Sequence, residues 1–378
     1  MNICVVCDDY PSKKSSTFAF VKQLVDEWAS IGHHCYVIAP FSITKYKCFN
    51  KTIEKKENAF GGSVTLIRPN YISLSDFKLF NFSFTSFFYK YALKKAFSLL
   101  PVIPDVVYGH FWGKAYCGYG FAKKHHIPLF VASGESSITQ VSGYSLHDKN
   151  FHDYVAGVIC VSTKNKQESI KLGITSEDKC IVIPNAVNNK AFFLQDKIQC
   201  RKKWNFPLNA FIVAFVGWFN QRKGSRRLAE ALNQIADDNI YSIFVGNGSE
   251  EPNCKNILFK GNEKHENLCS LLNCADVFVL PTLQEGCCNA IIEAMACGLP
   301  VVSSNRPFNW DVLNDKNSIM VDPESIDEIA KAICRLKNDG TLRENMAKNA
   351  TESACLLDIR VRAGKIISFM EEKMKSST

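Results

Sequence analysis

The sequence predicts an α/β protein of two domains, each built on a parallel β-sheet. The chain has 378 residues, more than a single hydrophobic core usually organises. Hydrophobic residues make up 46 % of it, which is enough for two cores. Two successive stretches also repeat short apolar strands that alternate with amphipathic helices, and this pattern builds parallel sheets.

The first series of strands and helices begins with an apolar run near the start of the sequence. Its first strand is predicted from the apolar run at 3–7, and a helix follows with apolar residues at spacings of three and four between Phe18 and Trp28. Gly32 ends this helix, and residues 35–39 predict the strand that completes a βαβ unit. Further strands are predicted at 64–67, 106–108, 129–132, 158–161 and 181–183.

The second series begins with a strand at 211–216, which a basic, Gly-containing loop connects to a helix around 228–235. Further strands are predicted at 242–245, 257–259, 277–280 and 301–303, and helices rich in Lys, Arg and Glu follow. The boundary is predicted between Ala186 and Pro207. This division gives an N-terminal domain of residues 1–188, a C-terminal domain of 189–355 and a final helical segment of 356–378.

Positive charge is concentrated in the N-terminal part. The formal net charge is +8, and residues 1–150 hold 17 Lys and Arg against 10 Asp and Glu, whereas the rest hold 28 against 27. Such asymmetry indicates attraction to nucleic acid, an anionic lipid surface or a phosphorylated acceptor. A lysine-rich surface that only keeps the protein soluble is the alternative.

The cysteine pattern fits a reducing compartment. The sequence has no recognisable export signal and no apolar run of the roughly 18 residues needed to span a bilayer, so we expect a cytoplasmic protein. Its 16 cysteines are scattered and are expected to be reduced, small core residues. Cys4 and Cys7 form a Cys-x-x-Cys pair, but residues three apart on a strand point to opposite faces, which argues against a zinc or redox site.

Residues 71–103 combine phenylalanine with lysine. Seven phenylalanines between Phe77 and Phe97 are interleaved with basic residues. Such a segment can lie on an anionic membrane surface. Alternatively, the phenylalanines fill the N-terminal core, since part of the segment alternates like a strand.

The most specific motif follows the strand predicted at 277–280. Residues 281–300 read PTLQEGCCNAIIEAMACGLP, which places Glu285 in a loop and Glu293 eight residues later. If a helix begins near Cys288, the backbone N–H groups at its positive end can bind phosphates or sugar hydroxyls. These groups belong to Gly286, Cys287, Cys288, Asn289 and Ala290. Glu293 can accept from the two adjacent hydroxyls of a ribose, and Glu285 lies where open α/β sheets bind ligands.

This string resembles the Glu-x₇-Glu motif, followed by Ala-Met-Ala-x-Gly-x-Pro, of retaining GT-B glycosyltransferases of family 4, also called glycosyl transferases group 1. The resemblance extends over nearly the whole chain. It implies the GT-B fold, in which two Rossmann-like domains with parallel sheets face a central cleft. It also implies that Glu293 holds the ribose of a nucleotide sugar and that Glu285 approaches the donor sugar as a catalytic residue.

A second motif, VGWFNQRKG at 216–224, resembles the family's Gly-Arg-x₄-Lys-Gly loop, whose cations clamp the donor diphosphate. Cleavage of the sugar–phosphate bond leaves a diphosphate with growing negative charge, which fixed cations stabilise. Lys223 fits the family position and is a candidate for both catalysis and donor binding. Trp218 stands where the family has Arg, and Arg222 is the candidate replacement because a guanidinium binds phosphate through two hydrogen bonds.

Four other residues are donor-site candidates by resemblance. His110 ends a predicted strand where a family histidine contacts the donor sugar, although a structural histidine is the alternative. Gly134 lies where many relatives have His-Gly, and the adjacent Glu135 is a candidate acceptor contact or base. Ser16 lies in the place of a Gly-rich phosphate loop, and Asn262 ends a strand that borders the nucleobase.

Several kinds of chemistry lack support in the sequence. It contains no Asp-x-Asp, the spacing that chelates a divalent metal in GT-A transferases, so we expect a metal-independent enzyme with no cofactor. Val245 opens the string VGNG, but the third glycine of a dinucleotide fingerprint is missing. The sequence also has no Walker A loop, zinc-type Cys/His cluster or Gly-x-Ser-x-Gly elbow.

The resemblance implies a retaining glycosyltransferase without a protein nucleophile. The donor is a nucleotide-diphosphate sugar held mainly by the C-terminal domain, and the acceptor is a glycan or polyprenyl-linked molecule held mainly by the N-terminal domain. The expected pathway is bacterial capsule, O-antigen or exopolysaccharide synthesis, with peripheral contact at the cytoplasmic face of the inner membrane and no nucleic-acid partner. The final helix is expected to cross back to the first domain. A non-hydrolysing-type nucleotide-sugar epimerase and a non-catalytic nucleotide-sugar-binding subunit are the alternatives.

Overall fold

The structure is a computed structural model that describes residues 1–11, 18–49, 51–58, 61–74, 78–79, 82–139 and 147–376. Its contacts divide the chain into two compact units. The first unit comprises Met1–Val161, Asn165–Ile183 and Ala363–Thr378, and the second comprises Ser162–Lys164 and Pro184–Arg362. The candidate Ser16 lies outside the described residues.

Strands in both units follow the apolar runs of the sequence. In chain order they are β1 (Asn2–Cys7), β2 (His34–Ile38), β3 (Phe41–Ser42), β4 (Ile53–Glu57), β5 (Ser63–Ile67), β6 (Asn70–Tyr71), β7 (Lys78–Leu79), β8 (Phe82–Ser83), β9 (Val106–His110), β10 (Leu129–Ser133), β11 (Val155–Cys160), β12 (Cys180–Val182), β13 (Phe211–Val216), β14 (Ile240–Val245), β15 (Ile257–Gly261), β16 (Val277–Leu280), β17 (Val301–Ser304) and β18 (Ser318–Val321).

Helices separate most of these strands, as expected for parallel sheets. In chain order they are α1 (Ala19–Ser30), α2 (Ile43–Tyr46), α3 (Phe84–Ser98), α4 (Trp112–His125), α5 (Lys149–Tyr154), α6 (Thr163–Lys171), α7 (Lys197–Lys203), α8 (Ser225–Ile235), α9 (His265–Leu272), α10 (Asn289–Ala296), α11 (Ile326–Asn338), α12 (Gly340–Leu356) and α13 (Ile359–Ser376).

The main sheet of the first unit is parallel except at one edge. Within the described residues its order is β12-β11-β10-β9-β1-β2-β5-β4, and β4 pairs antiparallel with β5. The chain builds outward from β1 to β4 on one side and from β9 to β12 on the other. The carboxyl ends of β1 and β9 therefore flank the point where the strand order reverses, and open α/β sheets bind their ligands at such a point.

The sheet of the second unit is parallel throughout. Over the described residues its order is β15-β14-β13-β16-β17-β18. Here the strand order reverses between β13 and β16, which are neighbours although α8, β14, β15 and α9 separate them in sequence. The loops that follow β13 and β16 therefore emerge side by side at one edge of the sheet.

The last helix contributes to the first unit from Ala363 onward. The indole N–H of Trp28 donates to the Ala363 carbonyl at 3.2 Å. Farther along α13, the ring centroid of Phe369 lies 6.3 Å from that of Phe130, and Lys373 Nζ donates to the Asp178 carbonyl at 2.6 Å. These contacts fix the C-terminal helix on the core of the first unit.

Part of the Phe- and Lys-rich segment forms helix α3. Its buried residues are Ala92, Leu93 and Ala96, whereas Phe87 is 53 % exposed. The expectation that these phenylalanines fill the core is therefore wrong for Phe87. Phe77 and Phe80 lie outside the described residues. None of the helices in the described ranges is long and apolar enough to cross a bilayer.

Candidate functional site

The loops after β13 and β16 bring together the basic and acidic residues of the two motifs. Oε1 of Glu285 accepts from Arg222 Nη1 at 2.6 Å and lies 2.7 Å from Lys223 Nζ. Thr282 Oγ1 donates to the same oxygen at 2.9 Å. Lys223, Glu285 and Thr282 are buried. Because two cations share one carboxylate, this cluster keeps an excess positive charge that suits an anionic ligand.

Local backbone geometry places Lys223 in the cluster. Its backbone N–H donates to Asn220 Oδ1 at 2.9 Å, which closes a tight turn in the loop. Gly224 follows with a φ of +79° and precedes the first residue of α8. A Cβ on Gly224 would lie 2.6 Å from the Pro281 carbonyl oxygen, so only glycine lets the two loops approach this closely.

The electrostatic surroundings keep Lys223 charged. Burial opposes the charge, but the Cys288 sulfur and the Glu285 carboxylate together raise the pKa of Lys223 above its usual value. Lys223 Nζ lies 3.6 Å from Cys288 Sγ and 2.7 Å from Glu285 Oε1. A lysine of raised pKa carries its full positive charge at neutral pH.

Trp218 and Arg222 behave differently in the basic loop. Trp218 is 58 % exposed and supplies no charge where the family has arginine. Arg222 Nη1 donates to the Gln284 carbonyl at 2.6 Å as well as to Glu285. Arg222 and Lys223 thus point their cationic groups at the same carboxylate oxygen.

Helix α10 begins beside this cluster. Cys288 precedes its first residue in an extended conformation, and Asn289 opens the helix. In the described part of the chain, Oδ1 of Asn289 is buried without a hydrogen-bond partner. Gly286 is buried, whereas Cys287 and Ala290 are half-buried. The first N–H groups of a helix have no carbonyl partner within it, so this end of α10 presents donors next to Lys223.

Glu293 occupies the second turn of α10 and has a partner that the motifs did not indicate. Glu293 Oε1 lies 3.0 Å from Nε2 of His265, the first residue of α9. The hydrogen bond with Glu293 raises the pKa of His265. No motif marks His265, although it lies three residues beyond Asn262, which is exposed just after the end of β15. Its position near the end of that strand is the signal that could have identified it.

The first unit holds His110 at the carboxyl end of β9. The ring is buried, and its centroid lies 4.6 Å from that of Phe111 and 5.3 Å from that of Phe20. Gly134 follows β10, and a Cβ there would lie 2.8 Å from the Phe111 ring. These two candidates therefore belong to the same edge of the first sheet.

Glu135 is bound within the first unit. Its Oε1 accepts from the backbone N–H of Trp112 at 2.9 Å, at the start of α4, and Ser133 Oγ lies 3.5 Å from Oε2. Burial raises the pKa of Glu135 to about 7. These contacts show that Glu135 caps α4, the helix that follows His110.

A lysine that the sequence patterns did not single out lies at the same edge of the first sheet. Lys114 Nζ lies 2.5 Å from Asp8 Oδ1, just beyond β1, and donates to Tyr89 Oη at 2.9 Å. This pair joins the segments after β1 and β9, where the strand order of the first unit reverses. A lysine in the first turn of α4 carries no motif, so the sheet order was needed to place it beside Asp8.

Models of two protein families match the chain. Glycosyltransferase Family 4 matches residues 19–190, and Glycosyl transferases group 1 matches residues 196–353. An uncharacterised glycosyltransferase of Methanocaldococcus jannaschii is 26 % identical over 93 % of this chain and 92 % of its own length. A putative teichuronic acid biosynthesis glycosyltransferase of Bacillus subtilis is 24 % identical over 93 % of each chain.

Solved structures share the fold. A sucrose-phosphate synthase of Thermosynechococcus elongatus matches with a TM-score of 0.78 at 19 % identity and covers 100 % of both chains. The Anabaena protein HepE, in complex with UDP and glucose, matches with a TM-score of 0.73 at 16 % identity over 98 % of this chain and 100 % of its own. At these identities the likeness establishes the architecture of the two units.

Proposed function

The chain belongs to the family 4 (group 1) glycosyltransferases of the GT-B fold, and on that premise we propose that it transfers a sugar, with retention, from a nucleotide-diphosphate sugar to a lipid-linked saccharide. The observation that carries the proposal is the convergence of Arg222 and Lys223 on Glu285 beside the first turn of α10. A buried, preorganised excess of positive charge is what departure of a nucleoside diphosphate requires.

The proposed reaction assigns a role to each charged group. Lys223 and Arg222 stabilise the negative charge that grows on the diphosphate as the sugar–phosphate bond breaks. Glu285 fixes both cations and approaches the donor sugar. The donor phosphate takes the proton from the acceptor hydroxyl on the face that the leaving group vacates, so that the anomeric configuration is retained. The family resemblance implies that His110 contacts the donor sugar.

The nucleotide is proposed to bind along α10. Glu293 accepts hydrogen bonds from the ribose hydroxyls, and the N–H groups of Gly286, Cys287, Cys288, Asn289 and Ala290 bind phosphate or sugar oxygens. Asn262 is proposed to border the nucleobase, and the family resemblance implies that Gly134 and Ser16 contact the donor. Two similar proteins support a uridine nucleotide: HepE was solved with UDP, and a 30 % identical Escherichia coli relative, matched over 51 % of this chain, is a galactosyltransferase that uses UDP-Gal.

The acceptor class is proposed from relatives. A Campylobacter jejuni relative that is 25 % identical over 70 % of this chain and 69 % of its own length acts on a diphospho-undecaprenol-linked sugar. A relative from Staphylococcus aureus, 27 % identical over 51 % of this chain and 55 % of its own length, is a capsular polysaccharide biosynthesis enzyme. We therefore place this chain in bacterial surface-polysaccharide synthesis, with a polyprenyl-linked acceptor held mainly by the first unit at the cytoplasmic membrane face.

An assay of sugar transfer to a lipid-linked acceptor tests this proposal. The purified protein is incubated with UDP-, GDP- or ADP-sugars and undecaprenyl-diphosphate-linked saccharides, with and without a metal chelator. We expect the acceptor to gain one sugar in the donor's anomeric configuration, measured by mass spectrometry and NMR, and the chelator to have no effect. Inverted product would contradict retention, and loss of transfer with chelator would contradict metal independence. Epimerised nucleotide sugar without transfer would instead support the epimerase.

Membrane contact is proposed for a groove between α3 and α4, which we call the α3–α4 groove. It encloses about 760 Å³ and combines apolar walls with three exposed lysines, Lys90, Lys94 and Lys124. The apolar lining residues are Leu93, Phe97, Leu100, Pro101, Val102, Ile103 and Phe121. An apolar groove with a basic rim complements an anionic lipid, whose chains are apolar and whose phosphate is negative.

Removing the three lysines is expected to weaken binding to anionic vesicles by about tenfold, since each basic residue near the surface contributes up to about 1 kcal/mol and less when salt screens it. Sedimentation with vesicles of phosphatidylglycerol and phosphatidylcholine measures the effect. The control variant replaces three exposed lysines elsewhere, Lys255, Lys331 and Lys348. If the wild-type protein binds neutral vesicles as tightly as anionic ones, this groove is not the membrane contact. The same conclusion follows if both triple variants lose binding to anionic vesicles equally.

A further inference from the structure

Two pairs of side chains connect α9 to α10 at matched spacing. His265 and Cys269 are four residues apart on α9. Glu293 lies on α10, four residues before Cys297, which directly follows the last residue of that helix. Nε2 of His265 lies 3.0 Å from Glu293 Oε1, and Cys297 Sγ lies 3.9 Å from Cys269 Sγ. Residues four apart on a helix share one face, so the two helices present these pairs to each other in register.

Packing holds His265 in place on its other side. Its ring centroid lies 5.0 Å from that of Phe192 in an edge-on arrangement, and Phe192 is fully buried. The His265 side chain is 40 % exposed and the Glu293 side chain is 15 % exposed. His265 is thus fixed by an aromatic ring and a carboxylate, while one side of the pair remains open to a ligand.

The pair orients the carboxylate before any nucleotide arrives. A glutamate side chain has several rotamers, and the affinity of a ligand falls when binding itself must select one of them. The hydrogen bond to Oε1 fixes the rotamer of Glu293. Its Oε2, and the remaining lone pair of Oε1, stay available to accept from ligand hydroxyls.

We propose that His265 is a positioning residue that gives the site its selectivity for a ribose by holding Glu293 in the orientation that accepts from the ribose hydroxyls. This inference rests on the proposed donor site. His265 acts through Glu293 and does not itself touch the nucleotide. The raised pKa of His265, caused first by its hydrogen bond with Glu293, agrees with this contact.

Titration calorimetry of the full chain tests this proposal with UDP, GDP and ADP and the 2′-deoxy analogue of each. We expect the His265→Ala variant to bind the best ribonucleotide about tenfold more weakly than wild type, as is typical for loss of a hydrogen bond to a charged group. Its affinity for the 2′-deoxy analogue should fall less, by about threefold, because only one of the two hydroxyls from which Glu293 accepts remains.

Two further variants make the measurement specific. In a Glu293→Ala background, His265→Ala should have no additional effect, since the residue acts through that carboxylate. Glu266→Ala is the control, because Glu266 is exposed, is adjacent to His265 on α9 and pairs only loosely with Lys264 at 3.8 Å. Unchanged melting temperatures show that each variant is folded.

The outcomes separate this inference from the proposed function. If His265→Ala leaves ribonucleotide affinity unchanged, weakens both nucleotide types equally, or adds to the effect of Glu293→Ala, the positioning role is wrong although the donor site stands. If no ribonucleoside diphosphate binds the wild-type protein, the proposed donor site is wrong and the positioning role falls with it.

Discussion

Replacing Lys223 by alanine is expected to lower turnover of the nucleotide sugar by about 100- to 1000-fold, the typical cost of removing one preorganised group that stabilises transition-state charge. The loss should appear mainly in kcat, because the charge on the diphosphate grows as the bond to the sugar breaks. The fold should survive the substitution. Glu285 would keep its hydrogen bonds from Arg222 and Thr282, so no buried carboxylate would be left unpaired.

Release of nucleoside diphosphate in the transfer assay measures the effect of Lys223→Ala. Lys331→Ala is the matched control, since Lys331 is an exposed lysine of the same unit and pairs with Asp327 on its own helix. Turnover within about threefold of wild type in Lys223→Ala would refute the role of this lysine. A similar loss in the control would show that the assay reports general damage instead.

Much of the fold could be predicted because apolar runs mark the buried strands of a parallel sheet. The strands predicted at 211–216 and 277–280 have the observed bounds. In the two main sheets, the edge strands β4 and β18 were not predicted. β4 reads IEKKE and is exposed at every position, so its pairing with β5 leaves no pattern of buried residues in the sequence.

The candidate site also contains residues that the sequence motifs indicated and residues that only the structure located. Spacing within the motifs indicated Glu285, Glu293 and Lys223, because each motif covers one strand end, the loop after it and the start of the next helix, which are adjacent in sequence. Thr282 lies only three residues before Glu285 in the same loop, whereas the position of His265 on Glu293 depends on a tertiary contact between two helices. His265 and Glu293 are 28 residues apart, and no local pattern reports that α9 and α10 meet.

Charge alone could not identify the partners within the cluster. Arg222 was expected to bind phosphate in place of the arginine that Trp218 replaces. The structure places its guanidinium on Glu285 and on the Gln284 carbonyl. In the proposed donor site a diphosphate therefore competes with these partners for Arg222, and with Glu285 and Cys288 for Lys223.

The central claim, that the second unit binds a nucleoside diphosphate through Glu293 and the neighbouring cations, is tested most directly by calorimetric titration of wild-type protein and Glu293→Ala with UDP, GDP and ADP. Loss of a carboxylate that accepts from two ribose hydroxyls is expected to weaken binding by about 100-fold, since each hydrogen bond to a charged group contributes roughly 1.5 kcal/mol or more. Glu266→Ala should bind like wild type. The account predicts one preferred ribonucleotide whose affinity collapses in Glu293→Ala; equal affinities in the two proteins, or no binding to wild type, would contradict it.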